Sequence, residues 1–343
     1  MKLYSNEIVF RGHPDKVCDQ ISDALLDEYL RGDKKSRCGI EVCGGKKKIF
    51  VTGEVTSKSN VDVEKVIKRV LVDVGYDTDY EIINNIGIQS NDIKIGTNNK
   101  VKGAGDQGMM YGYACDETAN YLPLSMVILQ ILSRKYDKLR KKDKRFLSDG
   151  KAQITGYYDD DNHLYRIKTF TISYQNTEID RISTDKIIKD LVLSICDSFE
   201  IEVEEFLINP TGRFNIGGFD GDAGVTGRKV LVDNYQAFSM VGGGAFSGKD
   251  PTKVDRSGAY KARQIAIFYL KKYHLKWCQV QLSYAIGKRR PLAILIDSNI
   301  GVINPNEKLF KECEPHNIIK DLDLLNIVYY DKAKFGHFTN KDF

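Results

Sequence analysis

Two glycine- and polar-rich stretches, 89–108 and 209–255, break up this chain and constrain what the rest of it can form. Neither spaces apolar residues as a helix or a strand would, so both read as loops. Such loops lie where domains meet. Around them regular elements alternate. A helix starts at His13-Pro14-Asp15-Lys16, because Pro14 suits a first helical position. Cys18, Ile21, Leu25 and Tyr29 then recur at helical spacing up to Gly32. Strands are expected over 37–43 and 48–56, joined at Gly44-Gly45-Lys46-Lys47. Alternation sets Ile40 and Val42 opposite Glu41, and Val51 and Val55 opposite Thr52 and Glu54. A simple hairpin then puts Glu41 and Glu54 on one face. Further helices are expected at 61–74, from Pro123 onward, at 184–199, at 257–273 and, last, at 307–313. Further strands are expected at 152–157, 165–174, 278–286 and 292–297. Helices and paired strands recurring in thirds of similar length indicate repeated α+β units.

With 343 residues the chain has room for two or three domains and needs no staples to fold. None of its seven cysteines forms a Cys-x-x-Cys pair, and the nearest two, Cys38 and Cys43, fall within one strand. They read as reduced, packed thiols, not as a disulfide framework or a zinc site. No apolar run nears the ~20 residues that cross a bilayer, and the first residues hold no signal core. A cytoplasmic protein without a membrane partner is expected. A net charge of +4 does not suggest a nucleic-acid coat. The one basic stretch, RKYDKLRKKDKR at 134–145, continues an amphipathic helix and reads as its solvated end. A salt-sensitive nucleic-acid binder built on that stretch is the non-enzymatic rival.

Chemistry concentrates in 217–229 and 242–250. Glycines let backbone N–H groups converge on an anion, and Arg228, Lys229, Lys249 and Lys253 stand beside them. Two glycine loops, each ending in a cation, point to a polyphosphate. Residues 243–249 match the start of a P-loop, but Asp250 stands where the magnesium-binding Ser/Thr belongs and Pro251 delays the helix. A P-loop NTPase is therefore rejected. His13 reads either as a helix cap or as a donor to phosphate oxygen. Asp15 reads either as a magnesium ligand or as a charge complement at a helix start. Glu41, Glu54, Asp106, Asp222 and Asp255 are the other acids of interest. No Ser/His/Asp or Cys/His arrangement is apparent, which disfavours covalent catalysis.

Taken together, HPDKVCDQISDALLD (13–27), GAGDQGMMYGYACDET (103–118), NPTGRFNIGG (209–218), GDAGVTGRK (221–229) and GGGAFSGKDPTKVDRSGAY (242–260) resemble the signature segments of the methionine adenosyltransferases. They occur in that family's order, and the resemblance extends through Tyr284-Ala285-Ile286-Gly287 and Phe335-Gly336-His337-Phe338 over essentially the whole chain. It implies an α+β fold of three similar, sandwich-like domains in a pseudo-threefold arrangement, placed here at 1–100, 101–215 and 216–343, with segments exchanged between them. It implies a homodimer with active sites between subunits, a dimer of dimers being the further step, and ATP and L-methionine as substrates. Methionine sulfur displaces triphosphate from C5′ of ATP, and the triphosphate is then hydrolysed to pyrophosphate and phosphate. Carried over by motif, His13 bonds near the leaving oxygen, and Arg228, Lys229 and Lys249 clamp phosphates. Asp149, Lys151, Arg213, Phe214, Asp222 and Ala245 contact ATP. Glu54, Gln89, Asp222 and Lys253 hold methionine. Asp15 and Asp255 bind two Mg²⁺, Glu41 serves K⁺, and Asp106 joins the pocket.

Three departures stand out. Phe10-Arg11-Gly12 replaces the usual Ser-Glu-Gly, Gly150 replaces an alanine, and the 89–103 loop, which resembles a mobile gate, is short. They motivate a second enzymatic reading, a relative that accepts another thioether or only hydrolyses triphosphate.

Overall fold

The computed structural model of the chain describes residues 2–88 and 103–339. Three sheets organise the described residues. The first has the order β4-β3-β2-β9, from β2 (Arg37–Gly45), β3 (Lys48–Thr56), β4 (Glu81–Gly87) and the two-residue β9 (Gly224–Val225). The second has the order β1-β6-β7-β8, from β1 (Lys2–Val9), β6 (Phe146–Tyr158), β7 (Leu164–Asn176) and β8 (Val203–Ile208). The third has the order β11-β10-β5, from β5 (Gly108–Cys115), β10 (Trp277–Tyr284) and β11 (Ala293–Ser298).

Each sheet carries helices. Helix α1 (Pro14–Gly32) packs on β2 and on α2 (Val63–Val74). Helix α3 (Leu124–Lys142) packs on β1, β6 and α4 (Arg181–Asp197). Helix α5 (Val254–Tyr273) packs on β5 and β10. The result is a mixed α+β architecture. Its sheets draw strands from distant parts of the chain: β1 joins residues 146–208, β5 joins 277–298, and β9 joins 37–87.

Local chemistry explains the elements. His13 caps α1 with Pro14 behind it, Asp62 caps α2 by accepting from the Lys65 N–H, and Gly75 ends α2 at φ +93°. The β2–β3 turn puts Lys46 and Lys47 at φ 46° and 65°, the left-handed pair that a two-residue hairpin requires. Register sets Glu41 opposite Thr52 and Glu54 opposite Gly39, so both glutamates share a face. The other face is buried through Ile40, Val42, Ile49 and Val51. One core holds Ile8, Phe10, Ile128, Tyr136, Ile154, Phe170 and Ile188. The other runs from Ile21, Ile40 and Ile67 to Met110, Tyr260, Val280 and Ile296.

Two expectations change. The helix at Glu307–Glu312 is not the last, since Pro315–Asp321 and Tyr329–Lys334 follow, each too short to show a helical period. Strands β4, β5 and β8 were also unforeseen: EIINNIG and VEEFLI carry polar residues, and β5 (GMMYGYAC) follows directly on the glycine-rich stretch. All seven cysteines are free thiols; Cys38 is buried and Cys43 exposed, on opposite faces of β2. In the basic stretch Tyr136, Asp137 and Arg140 turn inward while Lys135, Lys138, Lys141 and Lys142 face solvent, as a solvated helix end does. No described helix is long and apolar enough to cross a membrane.

Candidate active site

His13 caps α1 from extended backbone (φ −63°, ψ 136°), and its Nδ1 accepts the Asp15 N–H at 3.2 Å. With Nδ1 an acceptor, the neutral ring carries its proton on Nε2. Burial, then the Lys229 ammonium, bring the imidazole pKa down to about 4. Asp15 is fully buried. Its Oδ1 accepts the Val225 N–H at 2.9 Å and lies 3.1 Å from Arg228 Nε, while Oδ2 meets Lys229 Nζ. Two cations and an amide thus converge on one carboxylate at a helix N-terminus.

The first glycine loop is stitched to α1. Asp19 Oδ1 accepts the Gly227 N–H at 2.8 Å. Lys16 Nζ, buried, lies 2.6 and 2.7 Å from the Asp233 oxygens and 3.1 Å from Asp19 Oδ2. A Cβ at Gly224 would stand 2.2 Å from the Pro14 carbonyl oxygen, so glycine is what allows the loop this close. Lys151 and Asp222 lie near enough to His13 to act on its charge, in opposite senses. Asp149 is buried and accepts the Gly218 N–H at 2.8 Å, and burial pushes its carboxyl up to about 6.

A second group forms around the other loop. Lys249 pairs with Asp255, and Lys253, at the position just before α5, lies 3.5 Å from Glu54 Oε1. Asp250, buried, accepts from the Cys38 and Thr252 N–H groups and from the Thr252 hydroxyl. It braces a turn where a P-loop would bind metal, and α5 begins four residues later. The two loops touch, since a Cβ at Gly227 would lie 2.5 Å from Ala245 Cβ. Both also meet β2, Lys249 bridging Gly39 and Val225 pairing with Cys43. Four residues separate those points, about 13 Å of strand. Two ion-paired groups therefore sit side by side, one at Asp15 and one at Asp255.

Among the described residues, other sequence-derived candidates make contacts of their own or none that touch these ion pairs directly. Arg213, with its side chain 69% exposed, turns to Glu178 at 2.6 Å, and the Phe214 carbonyl accepts the Asn176 N–H at 2.9 Å beside β7. Asp106 accepts the Gln107 N–H, next to an Ala104 pinned between Gly287 and Lys288. Glu41 is exposed on the open face of its sheet. Gln89 lies outside the described residues.

Sequence reading missed two supports. Tyr76 donates its hydroxyl to the Gly12 carbonyl at 2.6 Å, and Gln175 bonds the Asn215 carbonyl at 3.1 Å and the Asp149 N–H at 3.4 Å. Neither falls in a motif, so only the tertiary placement identifies them.

Comparisons with known proteins agree along the whole chain. Family models for the S-adenosylmethionine synthetase N-terminal, central and C-terminal domains match residues 1–98, 101–214 and 216–343. An S-adenosylmethionine synthase of Clostridium tetani is 40% identical over 99% of this chain and 95% of its own length. That of a Prochlorococcus marinus strain is 40% identical over 99% and 94%, and that of a Nocardioides species 39% over 98% and 93%. Three consecutive domain matches and full-length likeness, on a structure that gathers the motif residues around two loops, lead to one conclusion: the chain belongs to the S-adenosylmethionine synthetase family.

Proposed function

We propose that the groups at Asp15 and Asp255 are the two halves of a site in which methionine sulfur expels triphosphate from C5′ of ATP. Membership of the family makes the chain a transferase that synthesises S-adenosylmethionine. The observation that carries the division of labour is the convergence of Arg228 and Lys229 on buried Asp15, beside a second cation, Lys249, paired with Asp255. Cations held in place by carboxylates can take up phosphate charge as it grows on the leaving group.

Sulfur is nucleophilic without a base, so the task is alignment and charge uptake. The S–C5′ bond forms as the C5′–O bond breaks, and triphosphate leaves with the electron pair. His13 Nε2–H donates toward that oxygen. Arg228, Lys229 and Lys249 hold the triphosphate while water cleaves it to pyrophosphate and phosphate. Asp149, Lys151, Arg213, Phe214, Asp222 and Ala245 contact ATP. Glu54, Gln89, Asp222 and Lys253 hold the polar groups of methionine, and Asp106 lines the same pocket.

The donor set suits magnesium. Among the described residues no group of three His, Cys, Asp or Glu side chains could hold a metal ion. Magnesium uses one or two carboxylates and completes its shell with phosphate oxygens and water. Asp15 and Asp255 would each hold one ion in place of the Arg228, Lys229 and Lys249 contacts they make here, and the ion's charge would offset that of the triphosphate. Glu41, on the sheet face it shares with Glu54, would serve potassium.

A second copy of the chain would complete the site. Cys43, Phe50 and Ile83 stand in register across β2, β3 and β4 on that open face, with Phe50 38% and Ile83 40% exposed. An apolar row beside Glu41 and Glu54 fits a homodimer interface that carries site residues, and a dimer of dimers would extend it. The three domains at 1–100, 101–215 and 216–343, exchanging strands β1, β5 and β9, would be pseudo-threefold repeats. The cytoplasm is the compartment proposed.

Incubation with ATP, methionine, Mg²⁺ and K⁺ should yield a sulfonium product by mass, with free pyrophosphate and phosphate. Lys249→Met and His13→Asn should each lower its formation by about 10²-fold or more with less effect on ATP binding. Absence of product across metal conditions defeats the reading, and full turnover in both variants defeats the residue roles.

A further inference from the structure

The turn that carries His13 is gripped on every side. The Phe10 N–H donates to the Gly150 carbonyl at 2.9 Å, Gly12 N–H to the Ser148 carbonyl at 3.1 Å, and His13 N–H to the Phe10 carbonyl at 3.0 Å. The Phe10 ring stacks on Tyr136 with centroids 4.3 Å apart, and it takes the space at Gly150, where a Cβ would lie 2.7 Å from Phe10 Cδ2. The departures at 10 and 150 are thus one packing unit.

Arg11 does more. Its side chain is buried, and its guanidinium reaches four separate elements. Nε donates to Gln20 Oε1 in α1 at 2.7 Å, and Gln20 Nε2 returns a bond to the Arg11 carbonyl at 2.8 Å. Nη2 donates to Asp73 near the end of α2 and to the Tyr330 hydroxyl at 2.6 Å. Nη1 lies 3.6 Å from Asp137 of α3. The Tyr330 hydroxyl also donates to Asp73 Oδ2 at 2.7 Å, and the N–H groups of Tyr329 and Tyr330 bind Asp27 of α1 at 2.9 Å each. A planar fork with fixed donor directions defines one orientation of the backbone that bears it. That backbone is two residues from His13, inside the turn closed by the His13–Phe10 bond.

We propose that Arg11 is a positioning residue for sulfonium formation: through its fork to Asp73, Tyr330, Gln20 and Asp137 it sets where His13 stands, and makes that position depend on the Tyr329–Lys334 helix. The proposal rests on the role given to His13 above. Arg11 touches neither Arg228 nor Lys229, so hydrolysis of added triphosphate depends on it less. The site's two reactions therefore separate positioning from general damage.

The test measures both reactions and the melting temperature in Arg11→Met, Arg11→Lys, Asp73→Asn and His13→Asn. Asp73 is half-exposed, so Asp73→Asn covers the case in which Arg11→Met does not fold. Displacing a catalytic group by about 1 Å costs about 10²-fold. Arg11→Met should therefore slow sulfonium formation by at least tenfold, with triphosphate hydrolysis within about threefold of the parent. Asp73→Asn should show a smaller loss of the same kind, and Arg11→Lys should recover part of it. An equal loss of both reactions, or of neither, overturns the proposal. If His13→Asn leaves sulfonium formation intact, the His13 assignment itself is what fails. If His13→Asn is slow and neither Arg11→Met nor Asp73→Asn is, the Arg11 proposal alone fails.

Discussion

Lys16 is a charge with no route to water, and its company decides its state. Burial works to lower its pKa, but Asp233 and Asp19 outweigh burial and keep the ammonium charged. Asp233→Ala should therefore cost about 3 kcal/mol, read as a lower urea midpoint, because it leaves that buried charge with Asp19 as its remaining carboxylate partner. Lys16→Met with Asp233→Leu should recover most of the loss, which separates the cost of breaking the pair from its net worth. At this scale the sequence was readable where a residue's chemistry is local. His13, Asp15, Arg228, Lys229 and Lys249 all stand in the two loop-centred groups. Lys16 and Asp233 were not readable, since 217 positions separate them and nothing local marks them as partners. Arg213 was named for a motif, but in this structure its guanidinium turns to Glu178.

Helix α3 shows how an element's start depends on a residue outside it. Pro123 offers no side-chain cap, and Glu117 supplies one, accepting the Leu124 N–H at 2.7 Å while also taking the Leu164 N–H. Burial pushes the Glu117 carboxyl from 4.5 up to about 7. The folded chain then holds this proton more tightly than the unfolded chain does. The contribution is complete below pH 4.5 and is lost as pH rises through 7. Glu117→Gln should therefore flatten the fall in melting temperature between those values relative to the parent; an unchanged slope would remove the assignment. Long helices and the β2–β3 hairpin were legible because period and turn residues agree. Strands β4, β5, β8 and β9 were not. Their strand character comes from the neighbour they pair with, which in β9 amounts to two residues beside Cys43 and Gly44.

On the scale of the whole molecule, the open face of the β4-β3-β2-β9 sheet is where a second copy is proposed. Phe50→Asp should convert the dimer to a monomer by light scattering and reduce turnover by at least about tenfold, if site residues come from both copies. A monomer with full activity would confine the site to one chain. The α+β class could be read from element order. Which strand joins which sheet could not, because pairing partners lie up to 182 positions apart, as Cys43 and Val225 do.

That last pairing has a consequence for how the protein is made. When the ribosome has delivered β2, β3 and β4, one edge of β2 still presents bare amides and carbonyls, and the strand that covers it has not yet been made. An uncovered edge invites pairing with any other extended chain. The 217–229 loop is thus also the late-arriving guard of the first sheet, so the nascent amino-terminal portion waits, vulnerable, for the carboxy-terminal third to emerge.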